Sequence, residues 1–168
     1  VRRVLIVDGY NVIHASDRYT RLAERDMDAA RERLLADVAS YSHGEMDATI
    51  VFDGASNAAS KGEPHEAAGV TVVFSAYGRD ADAVIEELAG RHRRSGDDVT
   101  VVTSDAQTQW VVLGQGAGRL SSAGFVESLE RQDAELEEST PSGSRRATIS
   151  ERLDESTREA LSRWARGS

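Results

Sequence analysis

The feature that most constrains this chain is an alternation of two periods. Short apolar runs rich in β-branched residues, at 3–7, 48–52, 70–74 and 99–103, with a weaker one at 119–122, read as strands. Longer stretches of helical period lie between and after them, at 26–41, 80–94, 106–113 and 123–138. The strand runs are almost continuously apolar, as strands buried on both faces are. Alternating strands and helices of this kind predict an α/β three-layer sandwich: a central, mostly parallel sheet of about five strands with helices on both faces, joined by right-handed crossovers.

The 168 residues suit one compact body, expected over 1–138. A polar connector over 139–149 follows, opening with Ser-Thr-Pro-Ser-Gly-Ser. The tail, 150–168, carries Leu153, Thr157, Ala160, Leu161 and Trp164 at helical spacing, which predicts an amphipathic helix packing on the body. The loop at 55–69 is rich in small residues and is read as irregular.

Composition narrows the chemistry. The chain has no cysteine, which removes disulfides, cysteine-ligated zinc and thiol nucleophiles. No apolar run approaches the length of a membrane span, and Asp8 interrupts the first apolar run too early for a secretory signal, so a soluble cytoplasmic protein without membrane contact is expected. The net charge of −9 argues against a basic shell that grips nucleic acid nonspecifically. It leaves room for a nucleic-acid enzyme whose carboxylates hold divalent cations.

The position of the acids matters more than their number. Ligands of open parallel sheets bind beyond the carboxyl ends of the strands. There the first strand delivers Asp8, the second Asp53 and the fourth Thr103-Ser104-Asp105, while the loop after the third delivers Asp80 and Asp82 at a helix start. Each aspartate alone has a structural explanation as a turn or cap residue. Together they conflict, because two carboxylates about 4 Å apart repel by roughly 4 kcal/mol at an effective dielectric near 20. No basic residue follows these strands closely enough in sequence to neutralise them. A divalent cation resolves the conflict, and oxygen-only ligands favour Mg²⁺ or Mn²⁺. Such a site suits phosphoryl chemistry, with phosphodiester hydrolysis the leading class. Asn11 either places its amide on a water or phosphate in that site or caps the following turn.

The phrase Val7-Asp8-Gly9-Tyr10-Asn11 resembles that of the YacP-like NYN domains, bacterial members of the PIN-like ribonucleases. Further pieces follow in the family's order: Ile50-Val51-Phe52-Asp53, Ala81-Asp82 with Ile85-Glu86, and Thr103-Ser104-Asp105. Gln109-Trp110, Gly114-Gln115-Gly116-Ala117 and the tail from Arg152 to Arg166 extend the likeness over nearly the whole chain. The resemblance implies a PIN-like fold and a Mg²⁺- or Mn²⁺-dependent endoribonuclease acting on single-stranded RNA, with the ribosome as a candidate partner. It implies Asp8, Asp82 and Asp105 as metal ligands, with Asp53 completing the acidic set and Asn11 beside it. Asp80, often uncharged in the family, is left as a ligand, a helix cap or a support for the ligands. Glu86, one turn after Asp82, is either an orienting group or a solvated glutamate.

RNA needs some positive counterpart. Candidates are Arg79, Arg119 and Lys61, with Tyr10 available to stack on a base; Arg91, Arg93 and Arg94, where a helix is expected to end, are either a further contact or a solvated last turn that complements the helix dipole. The triplet Gly114, Gly116, Gly118 lacks the spacing and the lysine of a nucleotide cradle, so no nucleotide cofactor is expected. His14, His43, His65 and His92 show no metal-ligand spacing and read as ordinary surface residues. Two other functions share these features: an RNA- or ribosome-binding adaptor that does not cut, and a magnesium-dependent phosphatase. The phosphatase lacks the expected nucleophile motif.

Overall fold

The apolar runs pair into one sheet because each must bury both faces, and the connections between them supply the covering helices. The computed structural model describes residues 1–139 and 155–167. In chain order these form β1 (Arg3–Asp8), α1 (Gly9–Ala15), α2 (Asp17–Arg25), α3 (Met27–Ser42), β2 (Asp47–Phe52), β3 (Pro64–Ala67), β4 (Val70–Phe74), α4 (Ala81–Arg94), β5 (Asp98–Val102), α5 (Ala106–Gly114), β6 (Gly118–Leu120), α6 (Ser122–Ser139) and α7 (Glu155–Arg166). The strand order is β3-β4-β2-β1-β5-β6. All neighbours are parallel except β3 and β4.

Alternation along each strand divides the core in two. Leu5 and Val7 of β1 face a large cluster built with α1, α2, α3, α6 and α7, through residues such as Ile13, Tyr19, Leu34, Phe125 and Leu161. Val4 and Ile6 face a smaller cluster with Ile85 and Ala89 of α4 and Val112 of α5. The chain winds outward from β1 through β2 to β4, then returns to the other side of β1 with β5. This reversal opens a crevice at the carboxyl ends of β1 and β5.

Three features differ from the sequence reading. The sheet has six strands, the extra one being β3 inside the segment read as a loop. It joins β4 through a two-residue turn with Ala68 at φ 53° and Gly69 at φ 77°. Alanine rarely adopts that conformation and β3 has no apolar run, so neither turn nor strand announced itself. The helices α1 and α2, seven and nine residues long, were not expected; both are too short to establish a period. The last strand ends at Leu120, because Ser122 already begins α6.

Aspartates set three of the helix starts. Asp26, Asp80 and Asp105 accept backbone hydrogen bonds from Asp28, Ala83 and Thr108 at the N-termini of α3, α4 and α5. Arg18 of α2 ties the helical layer together by bonding Asp37 of α3 at 3.0 Å and Asp133 of α6 at 2.9 Å.

The connector read at 139–149 lies outside the described residues apart from Ser139, as do residues 150–154 of the expected tail helix. The described part, α7, packs on α3 and on His65 of β3. Leu161 is buried, Ser162 donates to Asp28 at 3.1 Å, and the Trp164 indole lies parallel to the His65 ring at 4.4 Å. Among the described residues no helix is long and apolar enough to cross a membrane. Replacing Leu161 by Ala should cost about 2–5 kcal/mol in urea denaturation, the range for an emptied core leucine site. A loss below about 1 kcal/mol would show α7 to be a dispensable attachment.

Candidate active site

Asp8 ends β1 with its side chain turned into the crevice, and the residue is only 8% exposed. Burial pushes its carboxyl up to about 6, a rise the Thr103 hydroxyl bond opposes and the Asp82 charge reinforces. Thr103 donates to Asp8 Oδ2 at 3.0 Å and accepts the Asp105 N–H at 3.1 Å. The Thr103 carbonyl in turn accepts from Gln109 Nε2 at 2.6 Å. Gly9 lets α1 begin directly after Asp8, since a Cβ there would stand 2.4 Å from the Phe52 ring.

Asp82, in the first turn of α4, has its carboxyl raised by burial, with the charges of Asp105, Asp80 and Asp53 adding and the Thr108 hydroxyl opposing. Glu86, one turn further, is raised by burial and by Asp82, Asp80 and Asp105. Asp105 is lowered by the Thr108 backbone N–H, which it accepts at 2.8 Å, and by the Thr108 hydroxyl. Asp53 accepts from the Ala55 N–H at 2.8 Å and faces the Ala81 N–H at 3.4 Å.

These groups line an open cleft of about 490 Å³ formed by Asp8, Tyr10, Asn11, Asp53, Asp82, Ser104 and Asp105, with His14, Ala15 and Ala81. Among the described residues neither lysine nor arginine lines it. Asn11 Oδ1 is fully engaged, accepting from the Ser104 N–H at 2.9 Å and from Ser122 Oγ at 2.5 Å. Asn11 thus joins α1 to the end of β5 and the start of α6, and its Nδ2 is what it can offer to a ligand.

The sequence-selected residues therefore divide. Asp8, Asn11, Asp53, Asp82 and Asp105 meet in the cleft. Asp80 does not line it; its Oδ1 accepts from the Ala83 N–H at 2.9 Å and caps α4. Tyr10 is built into the wall, with its ring 4.9 Å from Phe52 and its hydroxyl accepting from Arg31 at 3.1 Å. Arg79 pairs with Glu87, Arg119 sits 5.8 Å from the Trp110 ring centre, and Lys61 is exposed; none of the three lines the cleft. Sequence reasoning missed Thr103, Thr108 and Ser122 as positioning groups and set His14 aside. The signal for His14 was its place three residues, about one helical turn, after Asn11, invisible while α1 itself went unrecognised.

The donor set fits a small hard cation. Its carboxylates are oxygen donors, the charges of Asp82 and Asp105 raise the Asp8 carboxyl, and no lysine or arginine among the described lining residues balances them. Among the described residues no three carboxylate or imidazole groups already close around one point. Mg²⁺ keeps several waters and takes one or two carboxylates, which Asp8, Asp82 or Asp105 could supply.

Comparison with known proteins gives the family. The sequence profile of the YacP-like NYN domain matches residues 5–166. The chain belongs to the YacP-like NYN domain family. This is a PIN-like nuclease domain family. The chain is 30% identical to YacP of Bacillus subtilis (strain 168), over 98% of this chain and 97% of the relative. It also superposes on two crystal structures of Rae1 (YacP) from Bacillus subtilis. One is a point mutant (TM-score 0.67, 27% identity, 95% of this chain and 98% of that one). The other match has a TM-score of 0.65 and 29% identity, covering 98% of this chain and 95% of that one.

The raised Asp8 carboxyl has a thermodynamic consequence for this family member. A carboxyl raised on folding contributes stability that is full below about pH 4 and is lost as pH climbs through about 6, a loss of about 3 kcal/mol. Asp8→Asn keeps the acceptor for Thr103 and removes the titration. In EDTA the variant should be more stable than wild type at pH 7.5 by about that amount in chemical denaturation, and the gap should close near pH 4. A gap independent of pH would disprove the burial of an unbalanced charge at Asp8.

Proposed function

We propose that this protein is a divalent-cation-dependent endoribonuclease that hydrolyses phosphodiester bonds in single-stranded RNA. The observation that carries the reading is a cleft at the carboxyl edge of the sheet in which buried Asp8 meets Asp82 and Asp105, with no lysine or arginine among the described residues that line it. Asp8, Asp82 and Asp105 would hold Mg²⁺ or Mn²⁺, with Asp53 at the border of the set. What such an ion supplies when bound is positive charge at the phosphoryl oxygens and a water of lowered pKa.

The chain's own groups do the positioning. Thr103 fixes the Asp8 carboxylate through one hydroxyl bond and is itself fixed by the Asp105 N–H. Thr108 holds Asp105 at the start of α5. Asn11, with its oxygen engaged, has Nδ2 as a donor for a phosphate oxygen. The scarcity of positive charge in the cleft means that the strand is steadied elsewhere, which fits presentation of an mRNA by the ribosome. The alternative is an adaptor that binds RNA or the ribosome without cutting, and the observation in its favour is that no three ligands are closed around one point.

Asp82→Asn should reduce cleavage of a labelled single-stranded RNA at least about 10²-fold, the scale of losing one electrostatic stabiliser, with circular dichroism unchanged. EDTA should abolish wild-type cleavage, and Mn²⁺ or Mg²⁺ should restore it. Undiminished cleavage by the purified variant would overturn the assignment; RNA or ribosome binding indifferent to EDTA, with no cleavage under any metal, would establish the adaptor. Thr103→Val should lower metal affinity or activity about 10–100-fold, as the loss of a ligand's hydrogen-bond partner does elsewhere.

A further inference from the structure

A second cavity, of about 250 Å³, lies where the end of α4 meets the end of α5, lined by Gly90, Arg93, Arg94 and Gln115. Its chemistry is opposite to that of the acidic cleft. In a chain of net charge −9, Arg18, Arg31, Arg33, Arg79 and Arg158 all pair with carboxylates. Arg93 and Arg94 form no ion pair among the described residues. Arg93 spends one donor on the Asp97 carbonyl at 2.7 Å, and its Nε is buried without a hydrogen-bond partner. A buried unpaired guanidinium donor costs stability unless a ligand satisfies it.

One glycine lies beside Arg93 and another lines the cavity. Gly116, at φ 86°, brings the backbone beside Arg93, where a Cβ would stand 3.3 Å from Nε and from Nη2. Gly90 is different, because nothing in its helical backbone requires glycine and glycine weakens a helix interior. A Cβ at Gly90 would stand 3.2 Å from Arg94 Nη1 and 3.3 Å from Gln115 Nε2, filling the floor between the two donors. Gln115 is held in place by its bond to the Glu86 carbonyl at 3.2 Å. The last turn of α4 carries Arg91, His92, Arg93 and Arg94, and its arginines alone outweigh the roughly half negative charge of a helix C-terminus.

The geometry points to a phosphate-binding pocket formed by Arg93, Arg94 and Gln115 over Gly90. The pocket shares α4 with the acidic cleft. Asp82, Glu86, Gly90 and Arg93 or Arg94 follow one another at spacings of three or four residues and so form one stripe. Arg93 is eleven residues beyond Asp82, about 17 Å along the helix axis. A strand with its reacting phosphate at Asp82 would bring a later backbone phosphate to the pocket. The RNA source of the phosphate rests on the nuclease reading, whereas the pocket itself does not.

The test measures binding in EDTA, so that cleavage plays no part in it. Wild type, Arg94→Gln, Gly90→Ala and Arg25→Gln are titrated with a fluorescein-labelled oligouridylate over a series of salt concentrations. Arg94→Gln should weaken binding about 3–10-fold at low salt and flatten the slope of log affinity against log salt by about 0.7, the signature of one lost phosphate contact. Arg25→Gln, the same charge change at the exposed end of α2, should stay within about twofold of wild type. Gly90→Ala should raise Tm, as helix propensity demands, while weakening binding.

In a second arm, millimolar inorganic phosphate should raise the Tm of wild type more than that of Arg94→Gln. A phosphate effect with RNA affinity unaltered would assign the pocket to a free phosphate ligand and retain the site. Equal RNA affinity, equal salt slope and equal phosphate response in wild type and Arg94→Gln would overturn it. Failure of the nuclease reading would be seen separately, as absent cleavage under Mg²⁺ or Mn²⁺.

Discussion

Asp8 closes a central parallel strand, and a hydroxyl from the neighbouring strand holds its carboxylate inside the protein where a cation would ordinarily be expected. Much of the molecule can be understood as the support this arrangement requires. The switch in winding direction places β5 beside β1, so that Thr103 falls next to Asp8. Asp105, two residues on, fixes the same hydroxyl through its backbone and starts α5 with its side chain. The desolvation cost of a carboxylate is thus met by residues that also set the path of the chain out of the sheet.

The two faces of the sheet divide the labour. Five helices bury the larger cluster on one face, and that face carries most of the apolar area that drives folding. Among the described residues the other face has only α4 and α5, seated on small contacts through Ala81, Ile85, Ala89 and Val112. Both helices direct their first turns at the cleft, where the positive ends of their dipoles offset part of the repulsion among Asp82, Asp105 and Asp8. A thin layer suits this role, since α4 and α5 position charge and contribute less to holding the fold together.

The frame of this molecule was legible because burial on two faces leaves an unbroken apolar run, and because aspartates at 26, 80 and 105 mark helix starts chemically. Asp8, Asp53, Asp82 and Asp105 were legible as a group from the rule that strand ends converge. What escaped were short or local features. The helices α1 and α2 are too brief to show a period, and β3 rests on a turn with a left-handed alanine. The roles of Thr103 and Ser122 depend on hydrogen bonds across 95 and 111 positions, respectively, to Asp8 and Asn11, which no local pattern encodes. Asp80 shows the converse: its acid sits beside a ligand candidate in sequence and is taken up by the helix cap.

The contacts of α7 give the cleft two halves of unequal resilience. The Ala165 carbonyl accepts from Asn57, and Gly167 lies so close that a Cβ there would stand 2.6 Å from the Ala59 carbonyl carbon. The turn these residues brace begins at Asp53 and is closed by Ser60 on the Ser75 carbonyl. The Asp53 side of the cleft is therefore anchored by the far end of the chain, whereas the Asp8–Thr103–Asp105 side is anchored by the sheet. Fraying of α7 would deprotect the amides of the 54–60 turn to hydrogen exchange well before those of β1 and β5. Through that fraying, the chain's end can loosen one wall of the cleft while the other stays rigid.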